Sequence, residues 1–377
     1  MSFQNQAGDL SPFTEVIPEG ARVSGLTKSS LLTQRRRVRI TPQTGPSASP
    51  SGQVQLLIAD QGGLLDPRSM VLNYTLVAAG TAPVAPDDGH VFGAVQVLLN
   101  GQLLDNVQSA MKVANVEMTL GGSQSYYKTA GSMQGFELMN NDLISKVPTT
   151  TAADLLAASG QYGYVPANVT DISARYKRAA AAAWNNQAGT QRSIPLGLMT
   201  GFGRCKTYIP IALLGEISLV LQTGSNADVM FQYSATQDAS YTLANISLEY
   251  DIVVPDTRYM QLLQKVAAEE AGIVIPYEST IVATGGVISA SSTALQESTI
   301  ITSRATNHLL RTSLVQIPSA VVSSLSYPSQ SCFSHASLFS YQLRVGSQVY
   351  PQIAATGDAS VFNTALSAYG SVMQENG

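Results

Sequence analysis

The residue types that most often do chemistry are few and scattered in this chain. It has three histidines, His90, His308 and His335, and two cysteines, Cys205 and Cys332. A histidine metal site needs ligands at short spacing, as in HxH, HxxxH or HExxH, and none of these occurs. The cysteines lie far apart and fit no CxxC or zinc spacing; a bridge is conceivable, and two free buried thiols are the expectation. Serines are plentiful, but no GxSxG elbow presents one as a nucleophile. Gly201-Phe202-Gly203 forms a GxG that no helix with a downstream acid follows, and GGSQSYYK at 121–128 lacks the GK[ST] ending of a phosphate loop. Asp87-Asp88 offers two carboxylates to a cation in a Pro/Gly loop, where a solvated turn is the simpler reading. Asn168-Val169-Thr170 is a glycosylation sequon, expected to go unused without a secretory signal. No catalytic residue, metal site or cofactor is therefore expected.

One cluster does carry charge. Arg35, Arg36, Arg37 and Arg39 sit ahead of the Pro/Ser/Gly-rich stretch TPQTGPSASPSG. Two readings stand side by side. The first is a basic arm, residues 1–50, that touches nucleic acid, an acidic membrane face or acidic partner proteins. The second is an edge strand over 35–40 whose charges are solvated.

Composition points away from catalysis and toward assembly. The chain has 377 residues, long for one compact domain, so two domains are expected. Charged residues make up 12% and hydrophobic residues 45%, with a net charge of −4. A soluble domain usually carries about 25% charged residues. Sparse charge suggests surface covered by other subunits, and a net negative chain is not in bulk a nucleic-acid binder. A secreted, Ser/Thr-rich β protein is the plainer alternative. The opening MSFQNQAGDLSP has neither a basic start nor an apolar core, so no secretory signal is read there. No apolar run reaches the ~18–20 residues needed to span a bilayer.

The elements are mostly strands. QVQLLIAD from Gln53 is a short apolar run, and Asp66-Pro67 predicts a turn ahead of a strand over 70–78. Asn100-Gly101 between apolar runs predicts a tight hairpin. Residues 107–190 are the least regular, with helices expected at 137–145 and 173–184. Two Ile-Pro pairs, Ile194-Pro195 and Ile209-Pro210, introduce apolar runs, and 211–221 reads as one apolar strand containing Glu216. Over 245–254, Ile246, Leu248, Tyr250 and Ile252 alternate with Asn245, Ser247, Glu249 and Asp251. Pro255 stops that strand and Asp256 can cap a helix over 257–271, with Met260, Leu263 and Val266 on its packing face. Strands return in IVIPYESTIVATGGVISA, TIITSRATNHLLRTSLVQIP and FSYQLRVGSQVYPQI, and a last helix is expected at 358–369. Short strands with turn chemistry between them favour an antiparallel sandwich over βαβ units.

The segments LLDPRSMVLNYTL, IPL…YIPIALLGEISLVL, SLEYDIVVPDTRYMQLLQKV and YQLRVGSQVYPQ, in that order, resemble the double jelly-roll major capsid proteins of tailless icosahedral DNA viruses, nearest to the virophage and Polinton-like branch. The resemblance implies an all-β fold of two jelly-roll sandwiches side by side, joined by a short linker helix, with small helices in loops. Its divisions here would be an arm (1–50), a first jelly roll (51–255), a linker helix (256–272) and a second jelly roll (273–377). Only 105 residues remain for that last sandwich, so it is expected to be incomplete. The implied function is a non-enzymatic capsid protein that trimerises into pseudo-hexagonal capsomers tiling an icosahedral shell. Its partners would be its own copies, neighbouring capsomers and minor capsid or penton proteins. The arm's arginines would face inward to genome or an internal membrane, in a virion assembled inside the host cell. The other readings are a carbohydrate- or receptor-binding sandwich of fibre or spike type, and a β-sandwich hydrolase. One Trp and 12% charge weaken both, since sugar grooves use clustered aromatics with carboxylates.

Overall fold

The computed structural model describes residues 32–59, 62–80, 84–86, 91–121, 130–131, 134, 190–232, 238–269, 275–283, 299–301 and 340–356. The expected helices at 137–145, 173–184 and 358–369, the three histidines, Cys332, Asp87-Asp88 and the sequon lie outside the described residues. Eight principal strands occupy the first part of the chain. They are β1 (Leu32–Ile40), β2 (Gln53–Ile58), β3 (Leu64–Ala79), β4 (Phe92–Leu99), β5 (Gln102–Gln108), β6 (Thr190–Pro195), β7 (Ile217–Thr223) and β8 (Ser240–Pro255). Helix α1 (Ala110–Gly121) follows β5 and helix α2 (Thr257–Glu269) follows β8. Farther on, β9 (Ser340–Val345) and β10 (Gln348–Thr356) form an antiparallel hairpin. No helix among the described residues is long and apolar enough to cross a membrane.

The eight strands form two antiparallel sheets. One has the order β1-β8-β3-β6 and the other β2-β7-β4-β5. The pairings are nested: β4 with β5, β3 with β6, β2 with β7 and β1 with β8. A long hairpin rolled up on itself produces this nesting, which is the jelly roll, a closed pair of Greek keys. Residues 109–189, which include most of the irregular stretch, fill the single connection from β5 to β6.

The core lies between the sheets and follows the period of two. Ile246, Leu248, Tyr250 and Ile252 of β8 are fully buried. They face Val54, Leu56 and Ile58 of β2 and Ile217, Leu219 and Leu221 of β7 across the sandwich, all buried. Each such aliphatic side chain contributes about 1.5–3 kcal/mol by leaving water. Tyr74 and Phe92 meet edge to face at 5.4 Å, one ring from each sheet. Helix α1 adds Ala110, Met111 and Ala114 to this core.

Four expectations change. First, residues 32–50 belong to the sandwich and not to an arm. β1 pairs with β8 along its length, and Ala48 exchanges two backbone hydrogen bonds with Leu243 at 2.9 Å each. Arg37 and Arg39 alternate with Val38 and Ile40, so Arg35, Arg37 and Arg39 share one face of a strand and Arg36 falls on the other. The first strand of the jelly roll thus precedes the expected boundary at 51.

Second, 211–221 is not one strand. Ile211–Leu214 form a helical turn, closed by the Gly215 N–H on the Ile211 carbonyl at 2.8 Å. Gly215 has φ +89°, which a side chain would strain, and a Cβ there would overlap the Asn100 amide. That amide explains the turn. Asn100 Nδ2 donates to the Leu214 carbonyl at 2.7 Å, and its Oδ1 accepts from the Glu216 N–H at 3.1 Å. Asn100 and Gly101 themselves have φ +48° and +78°, the mirror-image turn expected of Asn-Gly between β4 and β5.

Third, Asp66-Pro67 lies within β3 as a bulge. Val71 pairs with Glu249 and Asp66 with Asp251, so residues 67–70 loop out opposite Tyr250. Pro67 has no N–H to give the ladder, and the Ser69 hydroxyl bridges the Asp66–Asp251 pair beside it. That hydroxyl donates to the Asp66 carbonyl at 2.6 Å and accepts the Asp251 N–H at 2.7 Å.

Fourth, residues 275–283, read as the start of a strand, have no ladder partner among the described residues. They lie as an extended strap against the first sandwich. Strand β8 keeps the expected alternation but begins at Ser240, with Asn245 at φ +53° where its register shifts. Helix α2 starts where Pro255 and Asp256 predict. The Asp256 carbonyl accepts the N–H groups of Tyr259 and Met260. Met260, Leu263 and Val266 are half-buried, none fully enclosed.

Candidate assembly surfaces

The two sheets turn outer faces of opposite character to their surroundings. On the first sheet, register places Arg37 opposite Asp251 and Arg39 opposite Glu249. Arg35 is the hub. Its Nε donates to Asp251 Oδ2 at 2.8 Å and its Nη2 to Asp66 Oδ2 at 2.8 Å. Burial alone would lower the Arg35 pKa, but the hydrogen bond and charge of Asp251 and the charge of Asp66 outweigh it and raise it. Arg37 Nε lies 3.2 Å from Glu249 Oε2, and Arg68 Nε lies 3.8 Å from Asp66 Oδ1. The arginines are about half exposed while Asp66 is nearly buried, at 6%. Four arginines therefore face three acids, and most of the charge is neutralised within the sheet. Arg36 stands apart: it pairs with Ile252, so it projects to the other side of β1. The four arginines expected on one inward-reaching arm are thus split by the strand period, three of them into a cross-strand ladder.

The second sheet's outer face can be read row by row from its register. Leu57, Ser218, Leu98 and Leu103 form one row across β2, β7, β4 and β5. Gln55, Val220, Gln96 and Asn106 form the next. Gln53, Gln222, Ala94 and Gln108 form the third, in which Ala94 is already buried. No charged side chain occurs in this grid. Sequence reading missed it because its rows join segments more than 160 residues apart.

The edge at β5 carries the strap. Tyr277 Oη donates to the Leu104 carbonyl at 2.8 Å, and Ser279 Oγ donates to Asp105 Oδ1 at 2.7 Å. Asp105 pairs with Val97 on the inner side of the sheet and is almost fully buried, with Oδ2 lacking a hydrogen-bond partner. Desolvation, then the Asp105 charge, raises the Tyr277 pKa, so its hydroxyl is held as a donor. Tyr277 also meets Phe202 edge to face at 6.4 Å. The glycines of the GxG sit at close backbone approaches, Gly201 against the strap and Gly203 against the turn after β6. A Cβ at Gly201 would overlap the Glu278 carbonyl, and one at Gly203 would crowd Gly197 at 2.5 Å. Cys205 is a buried free thiol, 3.5 Å from the Pro276 carbonyl. No group of three or more metal-ligating side chains occurs among the described residues.

Strand order alone defines the class of domain: an eight-stranded jelly-roll sandwich within an all-β architecture. No family model and no curated protein sequence matches the chain. Among solved structures, the chain is similar to the Faustovirus major capsid protein, with 11% identity and a TM-score of 0.38, over 62% of this chain and 56% of that one. It is also similar to the PBCV-1 virus capsid (15% identity, TM-score 0.36, 61% of this chain and 45% of that one). A third similarity is to the mavirus major capsid protein (9% identity, TM-score 0.27, 59% and 47%). The matched part spans about half the length of these proteins.

Proposed function

We propose that this chain is a structural, non-enzymatic capsid protein whose work is to assemble with its own copies. The observation that carries the reading is the nested strand order, β1-β8-β3-β6 over β2-β7-β4-β5, in a chain with only 12% charged residues. Jelly rolls of this order serve capsid shells and also lectins and cupins. Sparse charge favours the shell, because a permanent interface buries charge only at a desolvation cost.

In this reading three copies form a pseudo-hexagonal capsomer, helix α2 joins two sandwiches through Met260, Leu263 and Val266, and hairpin β9–β10 belongs to the second. Neighbouring capsomers and minor capsid or penton proteins are the further partners, and the virion is the location. Contact with genome or an internal membrane falls to residues before β1, since Arg35, Arg37 and Arg39 are engaged with the sheet's acids. The deciding experiment is the solution mass of the purified full chain, followed by electron microscopy. Trimers that form hexagonal arrays are expected. A monomer at every concentration, or a monomer that binds glycans, would overturn the reading.

A further inference from the structure

We propose that the charge-free outer face of the second sheet is the surface through which one copy of this chain packs against another. This rests on the self-assembly reading and adds to it the face that performs the contact.

The two outer faces are asymmetric in charge. The opposite face carries Arg35, Arg37, Arg39 and Arg68 with their acids, and those charges hold a shell of water. The second sheet offers instead amides, a serine and the apolar side chains Leu57, Val220, Leu98 and Leu103. A side-chain amide both donates and accepts. Two copies of this face can therefore satisfy one another whichever way they meet, and no like charges oppose them. An acidic or basic partner would find nothing here to pair with, so a second uncharged face of the same kind is the occupant that fits.

Size makes the proposal more specific. Three rows about 6.8 Å apart on four strands about 4.8 Å apart cover about 400 Å². A stable interface buries about 800 Å² on each partner. The contact must therefore run beyond the sheet, and exposed apolar side chains mark the direction. Leu103 is 48% exposed on the edge strand β5, and Ile281 is 41% exposed two residues past Ser279, which Asp105 holds at that same edge. The second copy covers the sheet and continues over the β5 edge onto the strap.

The test uses the full chain with Val220→Arg at the centre of the grid and, as a milder variant, Gln96→Lys. Mass is read by light scattering over a concentration series, and folding by circular dichroism and thermal melting. Gln191→Lys, on the other sheet's outer face, is the control. Association at least about tenfold weaker is expected for the two grid variants, with native circular dichroism, because each would bury an unpaired charge. The control should keep the wild-type mass. Grid variants that also keep that mass would overturn the proposal while leaving self-assembly standing. So would variants that lose their fold in monomeric form, which would mean that the chain itself covers this face. A wild-type chain that is monomeric throughout would remove the self-assembly reading and this proposal with it.

Discussion

The two outer faces of the sandwich grow from the same strand period and end in opposite chemistry. On the first sheet the outward positions hold arginines on β1 and acids on β3 and β8, linked by contacts such as Arg35 to Asp66 and Asp251 at 2.8 Å. On the second sheet the outward positions hold Gln, Asn, Ser and aliphatic side chains in register. Their inner faces join in one apolar core. Alternation therefore sets which residues leave the core, but it does not say whether they meet water or protein. The ladder face is suited to solvent, because exposed ion pairs cost little and contribute little. The amide face is soluble enough to fold and free of charge that would oppose burial.

Four substitutions sharpen or break this contrast. The largest effect is expected at the edge where the second face joins the strap. Gly201→Val would drive a side chain into the Glu278 carbonyl and should destabilise by about 3 kcal/mol or free the strap. Urea unfolding and protease cleavage within 275–283 report the two outcomes; neither change would mean that the strap does not rest there. Next comes the ladder's buried acid. Asp66→Ala removes the acceptor of Arg35 Nη2 and of the Arg68 N–H, and about 1–2 kcal/mol of stability should be lost. Thermal melting that matches wild type would show that the bulge in β3 does not depend on that carboxylate.

Arg37→Gln is a smaller test. Its pairs with Glu249 and Asp251 lie at the surface, so less than ~1 kcal/mol is expected. The difference from wild type should shrink further in 1 M salt, where the screening length falls to about 3 Å. A loss that persists in high salt would assign Arg37 a packing role. Smallest is Gln55→Lys on the amide face, where stability within about 0.5 kcal/mol of wild type is expected in dilute, dissociated protein. A large loss there would mean that part of the same chain already covers the face.

Local pattern decided much of this protein. Alternation over Ile246, Leu248, Tyr250 and Ile252 places β8 and its inner face, because successive side chains in a strand must point to opposite sides. Asn100-Gly101 determines the β4–β5 turn, since few residues accept positive φ twice in succession. Pro255 and Asp256 start α2 at the expected residue. Tertiary structure decided the rest, for reasons of distance along the chain. The arginines of β1 left a basic arm and an edge strand equally open because Asp66, Glu249 and Asp251 stand far away in sequence, and only the strand pairings bring them together. The apolar run at 211–221 read as one strand because the Asn100 amide that caps its first turn lies on another hairpin. The charge-free face exists only as the product of three strand registers. A strand's sequence determines which side chains share its faces, but the neighbours of those side chains are set by pairings that close only when the whole hairpin has rolled up.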